Sequence, residues 1–389
     1  MLDQNIVRTE RLVESRLDEI RNKIEAGRRL SFEDGVFLFQ PSVSLHVVGQ
    51  LADLVCRRRH GRTVYYNLNT HLNPTNICGY RCKLCAFFRS KGDPDAYIMS
   101  QEEILKRAED ADQAGCTELH IVGGLPPGIP FEWYLGIVEA IHNQYPRLHL
   151  KAWTAVEIAW FARISGLSVK EVLLRLIDAG LGSLPGGGAE IFHPEVRRQI
   201  SSHKADGKTW LDVHRTAHSL GLKSNATMLF GHVETIYHRV DHLLELRTLQ
   251  DETGGFQAFV ALPFHPVRTA FSHLPKPSAF DCLRTIAVSR LLLDNFDHIK
   301  AYWVALGIGV AQTALEYGAN DLDGTVRYEN IYHDAGADSP DVLSVEELCA
   351  LIRETGREPV ERDSLYRRVR RFGREWELED NHPDVRNRE

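Results

Sequence analysis

The first sixty residues place apolar positions among charges at helical spacing. Between residues 13 and 26, Leu17, Ile20 and Ile24 recur every three or four positions, and Gly27 follows as a stop. Residues 42–59 read as a second helix, ending in Arg57, Arg58 and Arg59, a solvated end that complements the helix dipole. From residue 63 the pattern changes. Residues 63–68, 118–122, 148–154, 224–230, 256–262 and 299–306 read as strands, alternating with helical stretches such as 234–251. Ser100 with Glu103, Ser168 with Glu171 and Ser344 with Glu347 have the capping-box spacing, and Gly115, Gly180 and Gly356 close those helices.

Strands alternating with helices imply a parallel sheet. Six or more such units predict a (β/α) TIM-type barrel, complete or partial. A doubly wound open sheet is the alternative, but no G-x-G-x-x-G run supports it. The chain divides into an N-terminal helical extension (1–62), the barrel (63–340) and C-terminal helices and tail (341–389). After Arg362 the charged tail, with Arg367, Arg368, Arg370 and Arg371, reads as a terminal helix and a loose end. The net charge of −7 over 389 residues argues against a general nucleic-acid binder. The apolar run 304–315 is short and broken by Gln312, so no membrane span is expected, and no secretory signal is read at the N-terminus. Seven cysteines, few and odd in number, point to free thiols in a reducing cytoplasm.

Three of them fall within eight residues: Cys78, Cys82 and Cys85, spaced C-x3-C-x2-C with no fourth close behind. Iron–sulfur cubanes normally take four thiolates, so three leave one iron without a protein ligand. An open position marks a catalytic metal site, and a closed shell a structural one. A zinc site completed by His71 or His120 is the bland alternative, although zinc motifs usually come as paired knuckles. An electron carrier would need a fourth ligand, and Cys56, Cys116, Cys282 and Cys349 are distant in sequence.

In a barrel, loops after the strands form one rim, and ligands bind there. Gly123 and Gly124 end one strand, where absent side chains let a ligand reach the backbone; the bland reading is a turn. Glu157 ends the next. Its carboxylate can accept bonds from ribose hydroxyls, or it is a helix-start acid favoured by the dipole. Pro185, Gly186, Gly187 and Gly188 lead to Glu190, a run too flexible to be cheap in entropy unless something fits closely. His232 and Glu234, His265, and Asp321 or Asp323 lie at further rim positions, which sets them above the ordinary histidine or aspartate of this chain.

The cysteine spacing resembles that of the radical S-adenosylmethionine (SAM) enzymes, in which the free iron is chelated by SAM and the reduced cluster cleaves it. From about residue 36 to 351 the chain is similar to the futalosine-pathway branch of menaquinone biosynthesis. The runs 231–235, 249–255 and 318–325, with His333 to Ala337, look most like the aminodeoxyfutalosine synthase family. The resemblance implies a [4Fe–4S] cluster on Cys78, Cys82 and Cys85, with SAM as co-substrate. Cofactor contacts would come from Gly123, Gly124, Glu157, Glu190 and Arg197; His265, His232, Glu234 and Asp321 would act at the reacting centre. It further implies addition of the 5′-deoxyadenosyl radical to 3-[(1-carboxyvinyl)oxy]benzoate, giving 6-amino-6-deoxyfutalosine, methionine and carbon dioxide or bicarbonate. Arg197, His265 and Arg268 are the candidates for the two substrate carboxylates. A flavodoxin or ferredoxin would supply electrons, with a homodimer left open. One departure stands out: Leu84 precedes the third cysteine, where many members of the superfamily have an aromatic residue, although Phe87 and Phe88 follow. The nearest rivals are the cyclic dehypoxanthinyl futalosine synthase and relatives from deazaflavin synthesis, which abstract hydrogen.

Overall fold

All three capping boxes form. Ser100 Oγ accepts the Glu103 N–H at 3.2 Å while Glu103 Oε2 accepts the Ser100 N–H at 2.7 Å, and Ser168 with Glu171 and Ser344 with Glu347 repeat the arrangement. Each satisfies two N–H groups that a helix start leaves without partners. The computed structural model describes residues 2–379, with side chains from residue 11 onward.

The strands are β1 (Thr63–Asn67), β2 (Asn69–Leu72), β3 (Glu118–Ile121), β4 (His149–Ala152), β5 (Leu181–Leu184), β6 (Lys223–Phe230), β7 (Phe256–Pro263), β8 (His298–Lys300), β9 (Asp321–Gly324), β10 (Glu358–Glu361), β11 (Val369–Phe372) and β12 (Glu375–Leu378). The first ten form one sheet in the order β10-β1-β9-β8-β7-β6-β5-β4-β3-β2. Its ends meet at one stretch of chain. β1 pairs in parallel with β9, β2 pairs in parallel with β3, and Thr70 bridges Arg327. The result is a TIM-type barrel. Its outward side chains, such as Leu119, Ile121 and Leu150, are buried under helices, among them Val169–Asp178 with Val172, Leu173 and Leu176 turned inward. No helix of the described residues is long and apolar enough to cross a membrane.

Two expectations need correction. Residues 299–306 are not one strand: β8 ends at Lys300 and Trp303–Leu306 is a short helix. Every residue from Trp303 to Leu306 is buried, and a wholly apolar run does not distinguish strand from buried helix. The tail after Arg362 is not helical either, since β11 and β12 pair as an antiparallel hairpin over Val369 to Leu378; residues 380–389 lie outside the described residues. Between β10 and that hairpin, the chain plugs the N-terminal mouth of the barrel. Arg362 Nε meets Asp321 Oδ2 at 2.6 Å, Ser364 donates to Glu118 Oε2 at 2.7 Å, and Tyr366 stacks on His298 with centroids 3.6 Å apart. Asp321, Glu118 and His298 each open their strand, so the plug sits opposite the rim that carries the cysteines.

Candidate active site

At the C-terminal mouth lies a cavity of ≈ 350 Å³. Its floor is set by strand register. His71, His120 and Lys151 are direct partners on β2, β3 and β4, and Thr227, Val260 and Lys300 are partners on β6, β7 and β8. All six line the cavity. Alternation of side chains along a strand places these positions inward and their neighbours outward.

The cysteine loop forms one wall. Its path is held by backbone bonds: Cys78 N–H to Arg89 O at 3.1 Å, Gly79 N–H to Leu125 O at 2.9 Å and Lys83 N–H to Ile200 O at 3.0 Å. Asn76 clamps the base, donating to Asp95 O at 2.8 Å and accepting from Tyr97 N–H at 2.9 Å. Arg89 Nη1 caps the carbonyls of Ala86, Phe87 and Phe88 at 2.8, 3.1 and 3.0 Å. Cys78, Cys82 and Cys85 are free thiols, and all three line the cavity. The other four cysteines are buried elsewhere, so no fourth thiol reaches this wall. Burial pushes the Cys82 thiol up and the Cys85 thiol up to about 12, a penalty that a bound cationic metal reverses. Among the described residues no three His, Cys, Asp or Glu side chains, these three thiols included, gather closely enough to hold a single metal ion such as zinc. The donor set, three thiols and an open side toward a cavity, fits a cubane cluster that keeps one iron for a ligand. Leu84 lines the cavity, and so does Tyr80, packed edge-on against Trp160 at 5.3 Å.

Glu157 spans two strand tips. Its Oε1 accepts the Gly123 N–H at 3.0 Å and its Oε2 the Thr154 N–H at 2.6 Å. Burial raises its carboxyl to about 7 in spite of those bonds. Gly123 lines the cavity, whereas Gly124 stands behind it, where a Cβ would lie 2.2 Å from Ile77 O. The glycine run is held from both sides: Thr227 Oγ1, in the cavity floor, donates to Gly186 O at 2.6 Å, and Trp210 Nε1, outside the cavity, to Gly187 O at 3.1 Å. Glu190, at φ 46°, lines the cavity and pairs with Lys204. Burial opposes ionisation of Glu190, but Lys204 and Arg197 outweigh it and hold the carboxyl below its usual range.

His265 and Asp323 reach the cavity; several other expected residues do not. Arg197 is spent on main-chain carbonyls, with Nη1 to Ala189 O at 2.6 Å and Nη2 to Ala205 O, so it braces the loop from behind. Arg268 is 63% exposed and lies 3.6 Å from Asp334. Asp321 is in the plug contact with Arg362 at the far mouth. His232 and Glu234 close the turn after β6. Glu234 accepts the N–H groups of Gly231 at 2.5 Å and His232 at 2.9 Å and pairs with Arg239 at 2.8 Å. His232 Nδ1 lies 2.7 Å from the Val233 N and 3.1 Å from Glu234 Oε2, and its Nε2 lies 3.0 Å from Leu229 O, so the ring is engaged within its own turn. Residues not anticipated at the cavity include Lys151, Lys300, Lys204, Glu329, Tyr302 and Tyr332. A charged residue inside an apolar strand, as Lys151 and Lys300 are, was the available signal.

A parallel barrel with three free thiols in the loop after β2 defines the radical SAM enzymes, which carry a [4Fe–4S] cluster and bind SAM. The chain belongs to that family. Residues 72–246 match the radical SAM superfamily model and residues 253–373 the CofH/MqnC C-terminal region. The chain is 45% identical over 363 residues to the aminodeoxyfutalosine synthase of Thermus thermophilus, covering 92% of this chain and 97% of that enzyme. It is also 38% identical over 361 residues to the 5-amino-6-(D-ribitylamino)uracil–L-tyrosine 4-hydroxyphenyl transferase of Methanopyrus kandleri, covering 91% and 97%. The solved structure of methylornithine synthase has the same fold, with TM-score 0.69 and 17% identity over 87% of this chain and 97% of that one.

Proposed function

We propose that this chain transfers the 5′-deoxyadenosyl group of SAM to the enol-ether double bond of 3-[(1-carboxyvinyl)oxy]benzoate. The adduct rearranges and loses its carboxylate, giving 6-amino-6-deoxyfutalosine, with methionine released. The observation that carries this reading is the 45% identity to the Thermus thermophilus enzyme across 97% of its length. Cys78, Cys82 and Cys85 would hold the cluster, which when bound supplies the electron that cleaves SAM; a flavodoxin or ferredoxin would deliver it. SAM is then a co-substrate, consumed in each turnover.

The chain's own residues position the reactants. Gly123 and the run from Gly186 to Gly188 present bare backbone to the cavity. Glu157 holds the tips of β3 and β4 together, keeping that backbone in place. Leu229, Val260, Leu262 and Phe264 give the opposite wall an apolar surface that excludes water from an open-shell reaction. The test is a substrate panel on cluster-loaded protein. Consumption of the enol-ether benzoate, with tyrosine plus 5-amino-6-(D-ribitylamino)uracil left untouched, supports the reading. The reverse pattern moves the chain to the activity named for the Methanopyrus kandleri relative.

A further inference from the structure

Arg197 and Arg268, the arginines expected to meet substrate carboxylates, both lie off the cavity, while the floor carries two lysines. Each is nearly sealed from solvent, with Lys151 2% and Lys300 3% exposed. An ammonium offers three N–H donors. Among the described residues, Lys151 Nζ has one hydrogen-bond acceptor, Glu118 Oε2 at 2.5 Å, and Lys300 Nζ has one, Asp323 Oδ1 at 3.3 Å. Each ammonium is paired with one carboxylate and has donors left over; buried donors that lack acceptors are costly, so the floor favours a further acceptor from the cavity side.

The two lysines differ in freedom. Glu118 also accepts from Ser364 at 2.7 Å, so the Lys151 pair is anchored in the plug. Asp323 shares Oδ1 with Asn69 Nδ2 at 3.3 Å and sits at φ 67°, and its own side chain faces the cavity. The longer Lys300 pair is the one that can open to a ligand. Beside them His71 and His120 stack with centroids 4.6 Å apart, and burial keeps both neutral, His71 at about 4, so the positive charge of this layer is on the lysines. Val260, the register partner of Lys300, and Leu262, Leu229 and Phe264 add an apolar lining to the same cavity.

We propose that Lys151 and Lys300 form a carboxylate-binding floor, which seats an aromatic acid with its ring against Val260, Leu262 and Phe264. Naming that acid as the substrate benzoate rests on the function proposed above; the floor itself rests on the geometry.

The test uses cluster-loaded protein and a stable probe, 3-(carboxymethoxy)benzoate, with its diamide as the uncharged control, binding being read by calorimetry. Lys300→Met keeps the length of the stem and removes the donors. It should weaken the dicarboxylate by about 10- to 100-fold, the range for losing a charge-assisted hydrogen bond, and change the diamide by less than about threefold. Asp323→Asn removes the competing carboxylate and should tighten the dicarboxylate several-fold, so the proposal stays testable if Lys300→Met fails to fold. Unchanged dicarboxylate affinity in either folded variant overturns the floor. If the wild type binds the dicarboxylate through Lys300 but does not consume the enol ether, the floor stands and the reaction assignment falls. If the enol ether is consumed and Lys300→Met leaves its KM unchanged, the assignment stands and the floor falls.

Discussion

Arg362 Nε lies 2.6 Å from Asp321 Oδ2, and both side chains are fully buried. This contact joins the C-terminal plug to the first residue of β9. It also accounts for an aspartate that its sequence context places at the rim. Removing one member of a buried pair leaves the other charge uncompensated. Arg362→Leu should therefore lower stability by about 3–5 kcal/mol. Arg362→Leu with Asp321→Asn should recover part of that loss, and urea unfolding of the four combinations measures the coupling. A loss in the double variant equal to the sum of the two single losses would argue against the pair.

Glu234 is internal to its turn, with no exposed side-chain surface. Glu234→Ala strands two N–H groups, leaves Arg239 with Asp281, and should cost about 3 kcal/mol. Activity per folded, cluster-loaded molecule should stay near wild type. A large fall in kcat with unchanged stability would place Glu234 in the chemistry instead.

Glu329 lines the cavity, and burial raises its carboxyl to about 7 although it accepts the Ile331 and Tyr332 N–H groups at 3.0 and 2.9 Å. The sign follows from linkage. A carboxyl raised in the fold binds more protons there than in the unfolded chain. Its contribution is therefore complete below about 4.5 and is lost as pH rises toward 7. Glu329→Gln keeps an acceptor for both N–H groups on Oε1 and cannot titrate. Relative to this variant, the wild type should lose up to about 3 kcal/mol between pH 4.5 and 7.5. Taking the difference removes the opposing contribution of buried neutral histidines such as His71. A flat difference across that range would contradict the raised carboxyl.

The elements with local signals were legible. Capping boxes mark helix starts by side-chain chemistry alone, and the C-x3-C-x2-C spacing marks, without any tertiary information, the loop that brings three free thiols to the cavity. What was hidden depends on register or on distant chain. β9, with the sequence Asp321-Leu322-Asp323-Gly324, carries no strand signal and exists because β1 and β8 pair with it. Arg197 looked like a ligand-binding cation because its partners are carbonyls, which sequence does not advertise. Lys151 and Lys300 lie 149 positions apart, and the barrel register alone places both in the floor. His265 was legible because a strand end followed by a rigid Pro-flanked turn fixes where a side chain points.

The most direct measurement is an anaerobic turnover of reconstituted enzyme, dithionite, enol-ether benzoate and SAM labelled with 13C throughout its adenosyl group, read by mass spectrometry. The account predicts that the whole label appears in a product that also contains the benzoate skeleton, in step with methionine. Label recovered solely as 5′-deoxyadenosine would contradict it and assign the chain to hydrogen abstraction.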